Sequence, residues 1–164
     1  MHRVPRITVV IGLAAVAAAT ASAAAPPKAL FRDGYNLCRA ASLKEVRAAG
    51  KQPYKRGLFV DKSCLWERAD LKAGITLATH PRAAGSTLMR QLLARNGQDG
   101  FVAKRVAVPG ATGAIVVTPP HSMSTGLAKD LFASYRSGVV QVNMSEPKTL
   151  PNARLIAVLE VVTS

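Results

Sequence analysis

Two cysteines, Cys38 and Cys64, lie in a chain whose start reads as an export signal, and that combination constrains the fold more than any other feature. His2, Arg3 and Arg6 form a short basic stretch. An apolar run from Ile7 to about Ala19 follows, and Ala21-Ser22-Ala23 offers small residues before a cleavage point. The apolar run is shorter than the roughly 20 residues a membrane span requires, so residues 1–23 are expected to be removed, with cleavage after Ala23 or Ala25. No cysteine directly follows the apolar run, so no lipid anchor is expected there. In an oxidising compartment two cysteines most simply form one disulfide. The alternative, a redox-active thiol, lacks a Cys-x-x-Cys spacing.

Around that bond the chain divides into recognisable elements. Residues 24–33 read as a flexible lead-in and 34–164 as a single domain, large enough to bury a core. Ser42, with Glu45 three positions on, forms a capping box that starts a helix over 42–50, closed by Gly50. Leu43 and Val46 fall on its inner face. Strands are expected over 52–60, 63–69 and 74–80, the first two joined by a tight turn at Asp61-Lys62. An amphipathic helix is expected over 85–97, capped by Ser86 or Thr87 and finished by Asn96-Gly97. Strands near 101–108 and 111–118 end at proline. Residues 121–130 read as a loop with one helical turn. A hairpin spans 130–144 with its turn at Ser137-Gly138. Pro151 opens a final helix, although its β-branched content leaves a terminal strand as the competing reading. The order is helix, three strands, helix, four strands, helix. With short connections it predicts antiparallel pairing in an α+β architecture.

Trp66 stands two residues after Cys64, hence on the same strand face, and is expected to pack beside the disulfide as a core marker. The stretch "LCRAASLKEVRAAG" followed by "SCLWE" resembles an actinobacterial family of small secreted proteins and lipoproteins of unknown function. The residues that carry the likeness are Cys38, Leu43, Glu45, Val46, Gly50, Cys64 and Trp66. The resemblance implies an α+β domain with a curved antiparallel sheet packed against two or three helices, similar to the photosystem PsbP-like class. It implies no catalytic residue. Two departures stand out, the absence of a lipid-bearing cysteine and the strongly basic composition.

The full chain carries a formal charge of +13, and +11 remains once Arg3 and Arg6 leave with the signal. That excess favours anionic partners, here an anionic wall polymer or an acidic lipid surface. Lys55-Arg56 and Lys104-Arg105 are the candidate anion-binding pairs. Basic residues never run in blocks and aromatics are few, so a specific nucleic-acid role is not expected.

Catalytic signatures are weak. His80 or His121 could be combined with Ser122 and Asp99 into a hydrolase triad, but no Gly-x-Ser-x-Gly elbow positions the serine. Cys38, Cys64, His80 and His121 contain no close ligand pair of the kind zinc sites use, and no cofactor is expected. "GATG" at 110–113 lacks the Lys-Ser/Thr of a phosphate-binding loop and reads as a turn. Glu160 reads as an exposed carboxylate of the last helix. Met89, Met123 and Met144 are either core fillers or the lining of an adaptable pocket. The leading expectation is a secreted, non-catalytic binding module of the cell envelope or extracellular space. A small-ligand carrier with an apolar sheet-helix pocket is the alternative, and a secreted hydrolase a more distant one.

Overall fold

The computed structural model describes residues 28–60, 62–120, 127–147 and 150–164. The signal and the start of the lead-in, together with Asp61, His121, Ser122 and Met123, lie outside the described residues. Among the described residues three helices and seven strands occur in the expected order: α1 (Leu43–Gly50), β1 (Leu58–Val60), β2 (Ser63–Glu67), β3 (Gly74–His80), α2 (Arg82–Ala94), β4 (Val102–Val106), β5 (Gly113–Thr118), β6 (Leu127–Tyr135), β7 (Gly138–Glu146) and α3 (Asn152–Thr163). Short 3-10 turns, Lys28–Phe31 and Leu37–Arg39, precede α1. Within the stretch expected as a lead-in, Leu30 is buried and Phe31 packs against the core.

Every strand pair is antiparallel, and the strands form one sheet in the order β1-β2-β3-β7-β6-β5-β4. The curved sheet that the family resemblance implied is not found. Antiparallel sheets are bent by bulges and by glycine kinks inside strands. Here every ladder keeps one uninterrupted register, and Gly74, Gly113 and Gly138 each stand at the first position of a strand. The result is an open, uncurved sheet with β1 and β4 at its edges.

Helices cover both faces. On one face Cys64, Trp66, Leu77, Val116, Leu131, Val142 and Met144 pack with α1 and α3, while on the other Ile115, Val117, Phe132 and Val139 pack under α2. Burial on both sides explains why residues 114–117 read as an unbroken apolar run rather than an alternation. α3 is a helix, with Leu155, Val158, Leu159 and Val162 all buried, so the competing terminal strand does not form. Fully burying a leucine or valine stabilises by about 1.5–3 kcal/mol. That gain, repeated along α3, outweighs the β preference of its valines.

Local signals held where the partners are adjacent in sequence. The capping box of α1 is formed in both directions: Glu45 N–H donates to Ser42 Oγ (3.3 Å) and Ser42 N–H to Glu45 Oε2 (2.8 Å). Gly50 is the last residue of α1, and the left-handed finish falls on Lys51, at φ 53°. The ring of Tyr54 occupies the space a side chain at Gly50 would need. Boundaries moved elsewhere. The first strand is confined to Leu58–Val60. α2 begins at Arg82, directly after Pro81, and Ser86 and Thr87 lie inside it instead of capping it. Gly85 lets α2 approach the sheet, since a Cβ there would lie 2.5 Å from Val139 Cγ2. The β6–β7 turn is Arg136-Ser137, and Gly138 already pairs with Tyr135.

A candidate anion-binding cleft beside a disulfide-pinned sheet edge

Cys38 and Cys64 are joined in a disulfide, Cα–Cα 5.0 Å, which ties the second 3-10 turn to β2. Trp66 is 1% exposed and lies against that bond. The contact is made through Gly57: a Cβ built there would fall 2.7 Å from both Cys64 Sγ and Trp66 Nε1, and 3.0 Å from Cys38 Sγ. The disulfide, the indole and the bare backbone of Gly57 therefore form one packed unit, which fixes where β1 lies on the sheet edge. The cysteines are consumed in this bond and leave no thiol for redox or metal chemistry.

A cleft of about 360 Å³ lies at the hairpin end of β1. Leu30, Leu37 and Thr79 form its floor, with Thr79 Oγ1 donating to the Leu30 carbonyl (3.3 Å). Among the described residues its rim carries Arg32, Lys62 and Arg82, all exposed, against one carboxylate, Asp33. Lys62 Nζ stands 3.8 Å from Asp33 Oδ1, and both side chains are in open water, so this pair is loosely held. Phe31 is anchored over the backbone of Gly138, where a Cβ would lie 2.4 Å from its ring, and this seats the 30–35 segment over the ends of β3 and β7. The cleft thus has a floor that includes the buried Leu30 and Leu37 and an exposed cationic rim.

The pairs singled out in the sequence are placed differently. Lys55-Arg56 lies in the extended segment that enters β1, whereas Lys104-Arg105 lies on β4 at the opposite edge. Six inter-strand steps of about 4.8 Å separate the two edges, roughly 29 Å. The four residues do not make one patch, and as neighbours on a strand Lys104 and Arg105 point to opposite faces. Arg56 lines a groove with Arg39 beside Trp66, and Lys104 a small one with Lys129 and Asn152. The cleft cations were missed because Arg32, Lys62 and Arg82 are single residues in three separate segments.

His80 lies between the sheet and α2. Its Nε2 stands 2.8 Å from Gln141 Oε1, and Gln141 Nε2 donates to Asp130 Oδ1 at 2.8 Å. Burial pushes the Asp130 carboxyl above its usual range, against hydrogen bonds from Gln141 and Asn143 that lower it. This chain ends on an amide and a carboxylate, with no hydroxyl nucleophile bonded to His80 among the described residues. Asp99 is exposed beyond the far end of α2. That helix of 13 residues spans about 20 Å, so a set pairing His80 with Asp99 is not assembled. Met144 is buried on the α1/α3 face and Met89, on α2, packs against the opposite face of the sheet, so these two methionines cannot line one pocket.

One buried acid gave no sequence signal. Glu146 is 3% exposed and accepts from Gln52 Nε2 (2.9 Å) and from the Tyr54 hydroxyl (3.2 Å), with Arg154 Nη1 at 3.3 Å. Arg68 donates to Gln52 Oε1 and also holds Asp70, extending the network to the surface. Burial, reinforced by the charge of Glu146, drives the Tyr54 hydroxyl far above its ordinary range and keeps it a donor. The network clamps the start of α3 onto the end of β7. Glu160, by contrast, is exposed as expected.

Comparison of the chain with family models, curated proteins and solved structures returned no match. Among the described residues no helix is long and apolar enough to cross a membrane.

Proposed function

We propose that this is a secreted, non-catalytic binding module of the cell envelope or extracellular space, whose cleft between the 30–37 segment, Lys62 and Arg82 takes an anionic group. The carrying observation is the charge asymmetry of that cleft: among the described residues three exposed cations and one carboxylate surround a floor that includes the buried Leu30 and Leu37. A carboxylate or phosphate at the rim would gain from Arg32, Lys62 and Arg82 together, and Asp33 would release Lys62 at little cost because their pairing is fully hydrated. The net charge of +11 left after removal of Arg3 and Arg6 acts in the same direction by raising the local concentration of anionic partners. His80 serves the packing between sheet and α2 in this reading, and no reacting group is assigned.

The test is binding to an immobilised polyanion between about 50 and 500 mM salt, a range over which exposed charges become screened. The Arg32→Ala/Lys62→Ala/Arg82→Ala variant is expected to lose the salt-dependent binding, and Lys104→Ala/Arg105→Ala to retain most of it. Equal losses in both variants would reduce the charge to a general surface property. Export is checked independently by the mass of the protein recovered from medium, expected to begin at residue 24 or 26.

A further inference from the structure

β1 is an edge strand with unusual properties. Its three residues, Leu58, Phe59 and Val60, are 61%, 39% and 52% exposed, and no described strand pairs with its outer side. Val60 pairs with Ser63 and Leu58 with Leu65, and in an antiparallel hairpin the pair that closes a two-residue connection, with every second pair beyond it, is the hydrogen-bonded kind. The alternation of an antiparallel ladder then directs the N–H and C=O of Phe59 away from β2. Exposed edges are normally guarded by charge. The other edge, β4, obeys that rule with Lys104 and Arg105 in its middle. β1 does not: its centre is apolar, and the nearest charges in sequence are Lys55 and Arg56 before it and Asp61 and Lys62 after it, so cations outnumber acids around it three to one. Phe59 and Lys62 also line the cleft, so the open edge and the cationic rim are continuous.

We propose that β1 receives an extended, acidic polypeptide segment as an eighth strand, with its acidic end passing Lys62 into the cleft. The proposal rests on the anion-binding reading above and assigns the partner class. Backbone groups of the segment would pair with Phe59, side chains of its β-branched centre would meet Leu58, Phe59 and Val60, and acidic residues at both ends would face Lys55-Arg56 and Lys62. Charge argues against two other occupants. A second copy pairing antiparallel about Phe59 would set Arg56 against Lys62, like against like. Residues 1–27 of this chain contain no Asp or Glu and offer nothing to either end.

The experiment measures binding of the exported protein to a short synthetic peptide with a β-branched centre and paired glutamates at both ends. Comparison probes are a lysine-ended version, a version N-methylated on the backbone positions that would face β1, polyglutamate, and acidic phospholipid vesicles. Expected are binding of the acidic peptide, about tenfold weakening on N-methylation as the hydrogen bond to the Phe59 carbonyl is lost and the methyl group holds the strands apart, and no binding of the lysine version. Hydrogen exchange at the Phe59 amide is expected to slow with the peptide and not with polyglutamate. Phe59→Pro removes the outward-facing N–H together with the ring, and Phe59→Ala the ring alone, so the peptide should bind the proline variant several-fold more weakly than the alanine variant. If the proline variant does not fold, judged by Trp66 fluorescence, the N-methylated peptide and the exchange measurement still decide. Equal affinity for the N-methylated peptide, or an unprotected Phe59 amide, would overturn strand addition. So would vesicles binding through Arg32 and Lys62 in preference to the peptide, or a dimer of the free protein that Phe59→Pro dissociates. If the peptide fails while polyglutamate still binds through the cleft cations, only this proposal is lost; if neither binds, the anion-binding reading falls with it.

Discussion

Gly57→Ala probes the centre of the architecture with a single methyl group. The new Cβ would sit 2.7 Å from Cys64 Sγ, 2.7 Å from Trp66 Nε1 and 3.0 Å from Cys38 Sγ, which is 0.4–0.7 Å inside ordinary contact at 3.4 Å. None of the three neighbours yields easily. The sulfurs are bonded to each other and anchored in β2 and the second 3-10 turn, and Trp66 is 1% exposed. Gly57 does not adopt a left-handed φ, so the cost is steric rather than conformational. Overpacking of this kind costs about 1–3 kcal/mol, and three simultaneous overlaps place it near the upper end. Reduced freedom of the unfolded chain offsets about 0.4–1 kcal/mol. The net loss is about 2 kcal/mol, or a fall in Tm of roughly 6–10 °C for a domain of this size. Differential scanning calorimetry measures it, and a Cys38→Ala/Cys64→Ala background isolates its cause. That background is itself less stable by about 3.5 kcal/mol, from closing a loop of separation 26. In it the Gly57→Ala penalty should fall to about 1 kcal/mol, because only the indole still obstructs the methyl. A Gly57→Ala cost below about 0.5 kcal/mol, or one undiminished without the sulfurs, would refute the packed unit of disulfide, indole and glycine.

Two further perturbations address the polar groups. Glu146→Gln leaves the Arg154 guanidinium without its countercharge in a site where Arg154 Nε already lacks a partner. Urea unfolding should show a loss of about 3 kcal/mol, the low end for a broken buried pair because Arg154 keeps some contact with water; a cost no greater than that of Glu146→Leu/Arg154→Met would show the pair is dispensable. Asp130 has a folded-state pKa raised above its ordinary 3.8 by burial. The folded protein therefore holds this proton more tightly than the unfolded chain, and stability is lost as pH rises from 3.8 through the folded value. Asp130→Asn should be more stable than wild type at neutral pH and equal to it in acid, as read from urea midpoints across pH. A variant less stable than wild type at pH 7 would contradict the burial argument.

The legible part of this protein is that in which cause and effect are close along the chain. Ser42 and Glu45 are three residues apart and complete each other's hydrogen bonds, so α1 could be read directly. The count and order of strands and helices followed from periodicity and turn residues in the same way. The pairing of Cys38 with Cys64 needed only the compartment and the absence of any third cysteine, and Trp66 followed from strand alternation. The curvature of the sheet had no such local cause. It was carried over from a resemblance, and the uninterrupted registers exclude it. The boundary of α2 was misplaced because Pro81, which carries no side-chain cap, starts the helix where Ser86 and Thr87 carried the conventional signal. Glu146 stood unnoticed because nothing beside it in sequence marks it as buried; Tyr54 lies 92 residues away and Gln52 lies 94.

By itself the sequence determined the elements, the disulfide, the core position of Trp66 and the sign of the surface charge, because each depends on residue type and short spacing. Only the tertiary structure decided which cations act together. Strand order puts Lys55-Arg56 and Lys104-Arg105 at opposite edges, and the 30–35 segment, the β1–β2 turn and the start of α2 converge to bring Arg32, Lys62 and Arg82 around one cleft. Electrostatic cooperation falls off with distance through space, and separation along the chain does not measure that distance.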